Sequence, residues 1–95
     1  MENNFTNPKA PTLAAVYDAS VDTSTSVSIV SGASIIIVSA TLKGIFMKWG
    51  ATASSSSFDE YISPDKSNIY VIPTGITTVE FIEEAATAHL VVIQK

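Results

Sequence analysis

From Thr25 onward, apolar and polar residues alternate along the chain. In "TSVSIV" (Thr25–Val30), Val27 and Ile29 fall on one face and Ser26 and Ser28 on the other, which is the signature of a half-buried strand. "SG" at Ser31–Gly32 signals a turn, and "ASIIIVSAT" follows at once, so the two runs read as a hairpin. The "IIIV" run (Ile35–Val38) is apolar on both faces and predicts a strand covered from both sides. "IFMKW" predicts the next strand, with Ile45, Met47 and Trp49 on one face and Phe46 and Lys48 on the other. The adjacent Lys48 and Trp49 therefore part company: the tryptophan caps a hydrophobic layer and the lysine faces outward.

"GATASSSSFDEYISPDKS" reads as a loop region. Its serine run favours side-chain-to-backbone hydrogen bonds over packing and predicts an exposed tip, and "FDEYIS" holds a short strand or an anchor. "NIYVI" is a strand stopped by "PTG" (Pro73–Gly75), a second turn that reads as a hairpin into "ITTVEFI". "EEAATA" connects to a last strand, "HLVVIQK". No helix of three turns is visible. Five to seven short strands predict an all-β fold, a small antiparallel sandwich or barrel of jelly-roll type, over residues 25–95. Residues 1–24 carry Pro8, Pro11 and many small polar residues, and read as an extended N-terminal arm. Its scattered apolar residues, Phe5, Leu13, Val16 and Tyr17, are the expected anchors on a neighbouring surface.

Composition narrows the classes. The chain has 95 residues, 46% hydrophobic, and a net charge of −4. A chain this short buries only about two-thirds of its unfolded surface, so an apolar excess points to association with copies of itself. The expected oligomer contact is Ile35, Ile37, Met47 and Trp49, and the expected assembly is a homotrimer. All five basic residues are lysines, which argues against nucleic acid as a partner. The longest apolar run is far too short to span a bilayer, and "MENNFTNPKAP" lacks the basic start and apolar stretch of a signal peptide. Without cysteine, no disulfide, thiolate metal site or thiol nucleophile can form.

Candidate chemistry is sparse. His89 is the only histidine and lacks a nucleophile motif, so it reads as a half-buried strand residue. Asp59–Glu60 and Glu83–Glu84 are paired carboxylates of the kind a glycosidase uses, yet adjacent acids read better as solvated turns. Asp18, Asp22, Asp59 and Asp65 lack calcium-loop spacing. "NFT" at Asn4–Thr6 matches a glycosylation acceptor, which matters only in a secreted chain. No catalytic, cofactor or metal residue is expected.

Three pieces, "IFMKWGATASSSS", "YVIPTGITTVEFI" and "ATAHLVVIQK", resemble in kind and order a group of small virion proteins of tailed bacteriophages. In that group a strand ends in an aromatic–Gly pair after a basic residue and leads into a Thr/Ser-rich loop. A Pro-x-Gly turn, a "VEFI"-like strand and a Thr/Ala/His segment before a terminal apolar strand follow. The resemblance covers Ile45–Lys95; Lys48 and Trp49 stand where Arg and Phe are more usual, and "TAH" replaces "ATH". It implies a structural protein of the particle rather than an enzyme. Together with the arm and the apolar excess, it leads to the expectation of a capsid decoration (cement) protein. Such a protein would be made in the host cytoplasm, bind the major capsid protein on the outer shell and staple neighbouring capsomers. A tail, neck or fibre-base component is the alternative within the virion. A carbohydrate-binding module using Trp49 and Tyr61 is the alternative from another class.

Overall fold

The computed structural model describes residues 13–20, 24–85 and 88–95. They form eight strands: β1 (Ala14–Ser20), β2 (Thr25–Ser28), β3 (Ile35–Thr41), β4 (Ile45–Trp49), β5 (Glu60–Ile62), β6 (Lys66–Val71), β7 (Thr78–Glu83) and β8 (His89–Gln94). Two four-stranded sheets result, ordered β1-β8-β3-β6 and β2-β7-β4-β5, with every strand pair antiparallel. No helix is present among the described residues. The expected all-β sandwich is therefore the observed one, and its strand order is that of a jelly roll. The pairs β4–β5, β3–β6, β2–β7 and β1–β8 nest one inside the next. The chain is thus a single long hairpin wrapped into two sheets.

The serine run sits at the tip of that hairpin. Ser54 and Ser57 exchange two backbone hydrogen bonds, 2.9 and 3.1 Å, and the Ser54 hydroxyl accepts from the Ser56 N–H at 3.3 Å. Small hydroxylated residues suit this turn because they satisfy the backbone locally. Ser55 and Ser56 are exposed, whereas Ala53 beside them is buried and its N–H donates to the Ser24 hydroxyl at 3.1 Å. A six-residue peptide inserted after Ser55 is expected to change stability by less than about 1 kcal/mol, because lengthening a loop costs little entropy. The same insertion after Ala53 should lower the urea midpoint clearly.

Both turns that read as hairpins in the sequence cross between the sheets instead. At Ser31–Gly32, the Ile29 N–H donates to Thr77 O in one sheet, and the Ser34 N–H to Lys95 O in the other. Gly32 supplies the positive φ of 92° that the bend needs. The turn after Pro73 behaves likewise: Ile72 N–H reaches Ser34 O, while Thr77 O belongs to the opposite sheet. Alternation tells which face a residue takes, but not which strand lies beside it. β4–β5, around the serine tip, is the one sequential pair that stays within a sheet.

The core lies between the sheets. β3 contributes Ile36, Val38 and Ala40, and β8 contributes Leu90 and Val92. They meet Val27, Ile45, Met47, Ile62, Val79 and Phe81 of the other sheet. Ile29, Trp49, Tyr70 and Ile72 close its margins. Gln94 is the buried polar residue at one end, 2% exposed. Its side-chain carbonyl accepts from Val30 N–H at 2.9 Å and its amide donates to Ser28 O at 2.9 Å. It thereby ties β8 to the chain leaving β2 in the other sheet.

Residues 14–20, placed by sequence in the extended arm, are extended and paired along β8 as an edge strand, with an irregularity between Val16 and Ala19. A backbone ladder needs no apolar periodicity in the added strand, which is why "AAVYDAS" carries so weak a pattern. Phe5 lies outside the described residues.

Candidate functional site

The two outer faces of the sandwich differ in chemistry. On the β1-β8-β3-β6 sheet, register places Ile35 opposite Val71 and Ile37 between Ile69 and Ile93. Ile69 is 56% and Val71 75% exposed, while Ile35 and Ile37 are largely shielded by their neighbours. Half of this face is thus apolar. Its other half is polar, with Ser39 and Ser67 joined at 2.6 Å and Thr41 opposite His89. The apolar end is also where β1 begins: Leu13, 47% exposed, donates its N–H to Gln94 O at 2.7 Å.

The expected coverage of "IIIV" on both sides is largely met: Ile35 is buried and Ile37 half-buried on the outer face. Ile36 and Val38 are wholly buried by the opposite sheet, and the face bearing Ile35 and Ile37 stays open at its β6 margin. Of the four expected oligomer contacts, Ile35 and Ile37 lie on this outer face. Met47 is fully buried in the core, so it cannot reach a neighbour unless the sheets separate. Trp49 packs against the core from its margin, and Lys48 takes the opposite face. Of the expected arm anchors, Leu13 is exposed, while Val16 and Tyr17 belong to β1.

The outer face of the β2-β7-β4-β5 sheet carries an aromatic cluster. Phe46 lies between Tyr61 of β5 and Ile82 of β7. The Phe46 ring is 4.6 Å from Phe58 and 5.5 Å from Tyr61, tilted at 44° and 49°. These tilted contacts are the favoured geometry for aromatic pairs. The Tyr61 ring lies across Gly44, where any Cβ would collide with it. Its hydroxyl donates to Glu84 Oε2 at 2.9 Å, and Gly44 N–H donates to the same oxygen at 3.1 Å. The hydrogen bond to Glu84, some burial and the charge of Glu84 together raise the Tyr61 pKa above 10.0. Tyr70 is raised too, mainly by burial, then by Glu60, against a lowering hydrogen bond with Asn68.

The paired carboxylates do more than solvate turns. Asp59 accepts from Trp49 N–H at 2.9 Å, Glu83 from Ala88 N–H at 3.0 Å, and Glu84 holds the Gly44–Tyr61 contact. Each pins a connection to a strand end. Trp49 and Tyr61, paired in the sequence reading as a sugar platform, point to opposite faces of their sheet and cannot act together. The rings gathered beside Tyr61 are those of Phe46 and Phe58. Parity along "IFMKW" already put Phe46 on the face away from Trp49, but nothing local linked it to Phe58 across the serine loop.

His89 is half-buried on the apolar sheet's outer face, with Thr41 and Ser20 as its cross-strand neighbours. Its Nδ1 is buried without a hydrogen-bond partner among the described residues. No group of three or more His, Asp and Glu residues able to hold a metal ion occurs among the described residues. No family model, curated protein or solved structure matches this chain.

Proposed function

We propose that this chain is a structural subunit of a phage virion, a capsid decoration protein that binds the major capsid protein and itself. The observation that carries this reading is the apolar outer face of the β1-β8-β3-β6 sheet, where exposed Ile69 and Val71 extend Ile35, Ile37 and Ile93. Contiguous exposed apolar surface of this kind marks association in a soluble domain. In our reading this face is the contact between subunits of a homotrimer, and residues 1–12 reach the shell. Many modest contacts, repeated at every site, would then staple capsomers. The jelly-roll order agrees with this reading only by analogy, since such folds serve both virions and lectins.

The test has two parts. Quantitative mass spectrometry of purified particles should find the chain at hundreds of copies; a handful would place it in a tail, neck or fibre base instead. Undecorated shells should then be titrated with the parent chain, with Ile69→Lys/Val71→Lys, and with a chain lacking residues 1–12. The truncation stops there because residues 14–20 belong to the sheet. The double variant should be monomeric, and both changes should weaken binding about tenfold or more with the chain still folded, each tenfold being about 1.4 kcal/mol. Absence from particles would overturn the reading.

A further inference from the structure

We propose that the aromatic cluster of Phe46, Phe58 and Tyr61 is a binding site for neutral oligosaccharides built of hexopyranose units. The observation is independent of the virion reading: it lies on the other outer face and concerns a different ligand. Phe58 and Tyr61 are 41% and 39% exposed, each packed against the Phe46 ring, although such an aromatic group would ordinarily be drawn into a core. Here the core is already filled, and the rings stand on a face whose next outward position along β4 is Lys48.

The polar groups around the rings choose the ligand. Lys48 supplies N–H donors. Asp59, anchored through Oδ2 to Trp49 N–H, and Glu84, anchored through Oε2 to Tyr61 and Gly44, supply acceptors. Because backbone N–H groups hold both carboxylates, their positions are set before any ligand arrives, which lowers the cost of binding. A pyranose presents an apolar C–H face to an aromatic ring and a rim of hydroxyls that both donate and accept. Rings flanked by donors and acceptors match it on both counts. Asp59, Glu84 and Glu80, which lies opposite Lys48 across the strands, outnumber the one ammonium and disfavour anionic sugars and phosphorylated ligands, as does the net charge of −4. The same acidic excess would attract a lysine-rich peptide, which is why that peptide is a separate arm of the test.

The experiment is amide-resolved NMR on the isolated full chain, titrated to millimolar concentration with maltoheptaose, cellohexaose and chitohexaose, and separately with a lysine-rich peptide. At least one saccharide should shift amides within Gly44–Lys48, Phe58–Tyr61 and Glu84, and leave those of β6 unmoved. Phe58→Ala should weaken that binding about tenfold, the scale of one lost aromatic contact. Phe58→Tyr, which keeps the ring, should restore it. Spectral dispersion checks folding in each variant, and Glu84→Gln gives a second reading if Phe58→Ala unfolds. The proposal is overturned if none of the three saccharides moves these amides. It is equally overturned if Phe58→Ala binds as the parent does, or if only the peptide binds. No particle is involved, so failure here leaves the capsid reading standing, and the reverse.

Discussion

Phe81→Ala is expected to remove a large part of the chain's stability. Phe81 is fully buried, the largest such side chain in the core, on a strand hydrogen-bonded to β2 on one side and β4 on the other. Truncating a buried phenylalanine costs about 3–5 kcal/mol, part lost transfer energy and part cavity. Domains of this size hold only about 5–10 kcal/mol in total. The cavity would open between two thin sheets, with Met47 and Thr25 as the cross-strand neighbours beside it. A melting temperature lower by about 12 °C or more follows from the usual scaling for small domains. The control is Ile69→Ala, more than half exposed on an outer face, which should cost less than about 1 kcal/mol. If the two variants melted alike, the packing described between the sheets would be wrong.

Replacing Gln94 by leucine should cost about 2–4 kcal/mol despite nearly equal volume. Leucine removes both partners of the clasp and leaves Val30 N–H and Ser28 C=O unsatisfied, at about 1–3 kcal/mol each when buried. Gln94→Glu separates hydrogen bonding from shape. The carboxylate can still accept from Val30 but cannot donate to Ser28, and it buries a charge. Burial raises the carboxyl pKa in the folded state above its unfolded value of about 4.3. The protonated acid can donate to Ser28 O, so stability is greatest below that unfolded value and is lost as pH rises through the folded one. Urea unfolding of Gln94→Glu at about pH 4 and about pH 7 should therefore show recovery at the lower pH beyond any seen in the parent. Parallel pH profiles would mean that the clasp contributes nothing.

The strands were legible because inward residues alternate: Ile45 and Met47, Val79 and Phe81, Leu90 and Val92 each face inward with a residue of the other face between them. Their partners were not. A turn such as Ser31–Gly32 looks the same whether its arms pair with each other or leave for different sheets. That choice is made by Gln94, Thr77 and Lys95, dozens of residues away. The same distance hid the candidate site. Trp49 and Tyr61 were attractive as the conspicuous aromatic residues flanking the serine loop, yet strand parity sets them on opposite sides. Phe58 meets Phe46 only because the loop returns the chain alongside β4. The doubly apolar "IIIV" did announce that something must cover the outer face of β3. The exposure of Ile69 and Val71 was not legible, since β6 turns its apolar pair away from the core.

The nested order of the strands constrains how a ribosome can deliver this protein. β8 is the last of the eight strands to be synthesised, yet it occupies an interior place between β1 and β3. Until it emerges, β1 has no neighbour, and Ile36 and Val38 lack Leu90 and Val92 beside them. The pairs β4–β5, β3–β6 and β2–β7 can all be joined before β8 emerges, but β1 cannot be placed. A nascent chain halted before Leu90 would expose half-built sheets with unpaired edges, the species most prone to aggregate. Folding is therefore expected to wait for β8 to emerge, and products truncated before it should be insoluble rather than partly assembled.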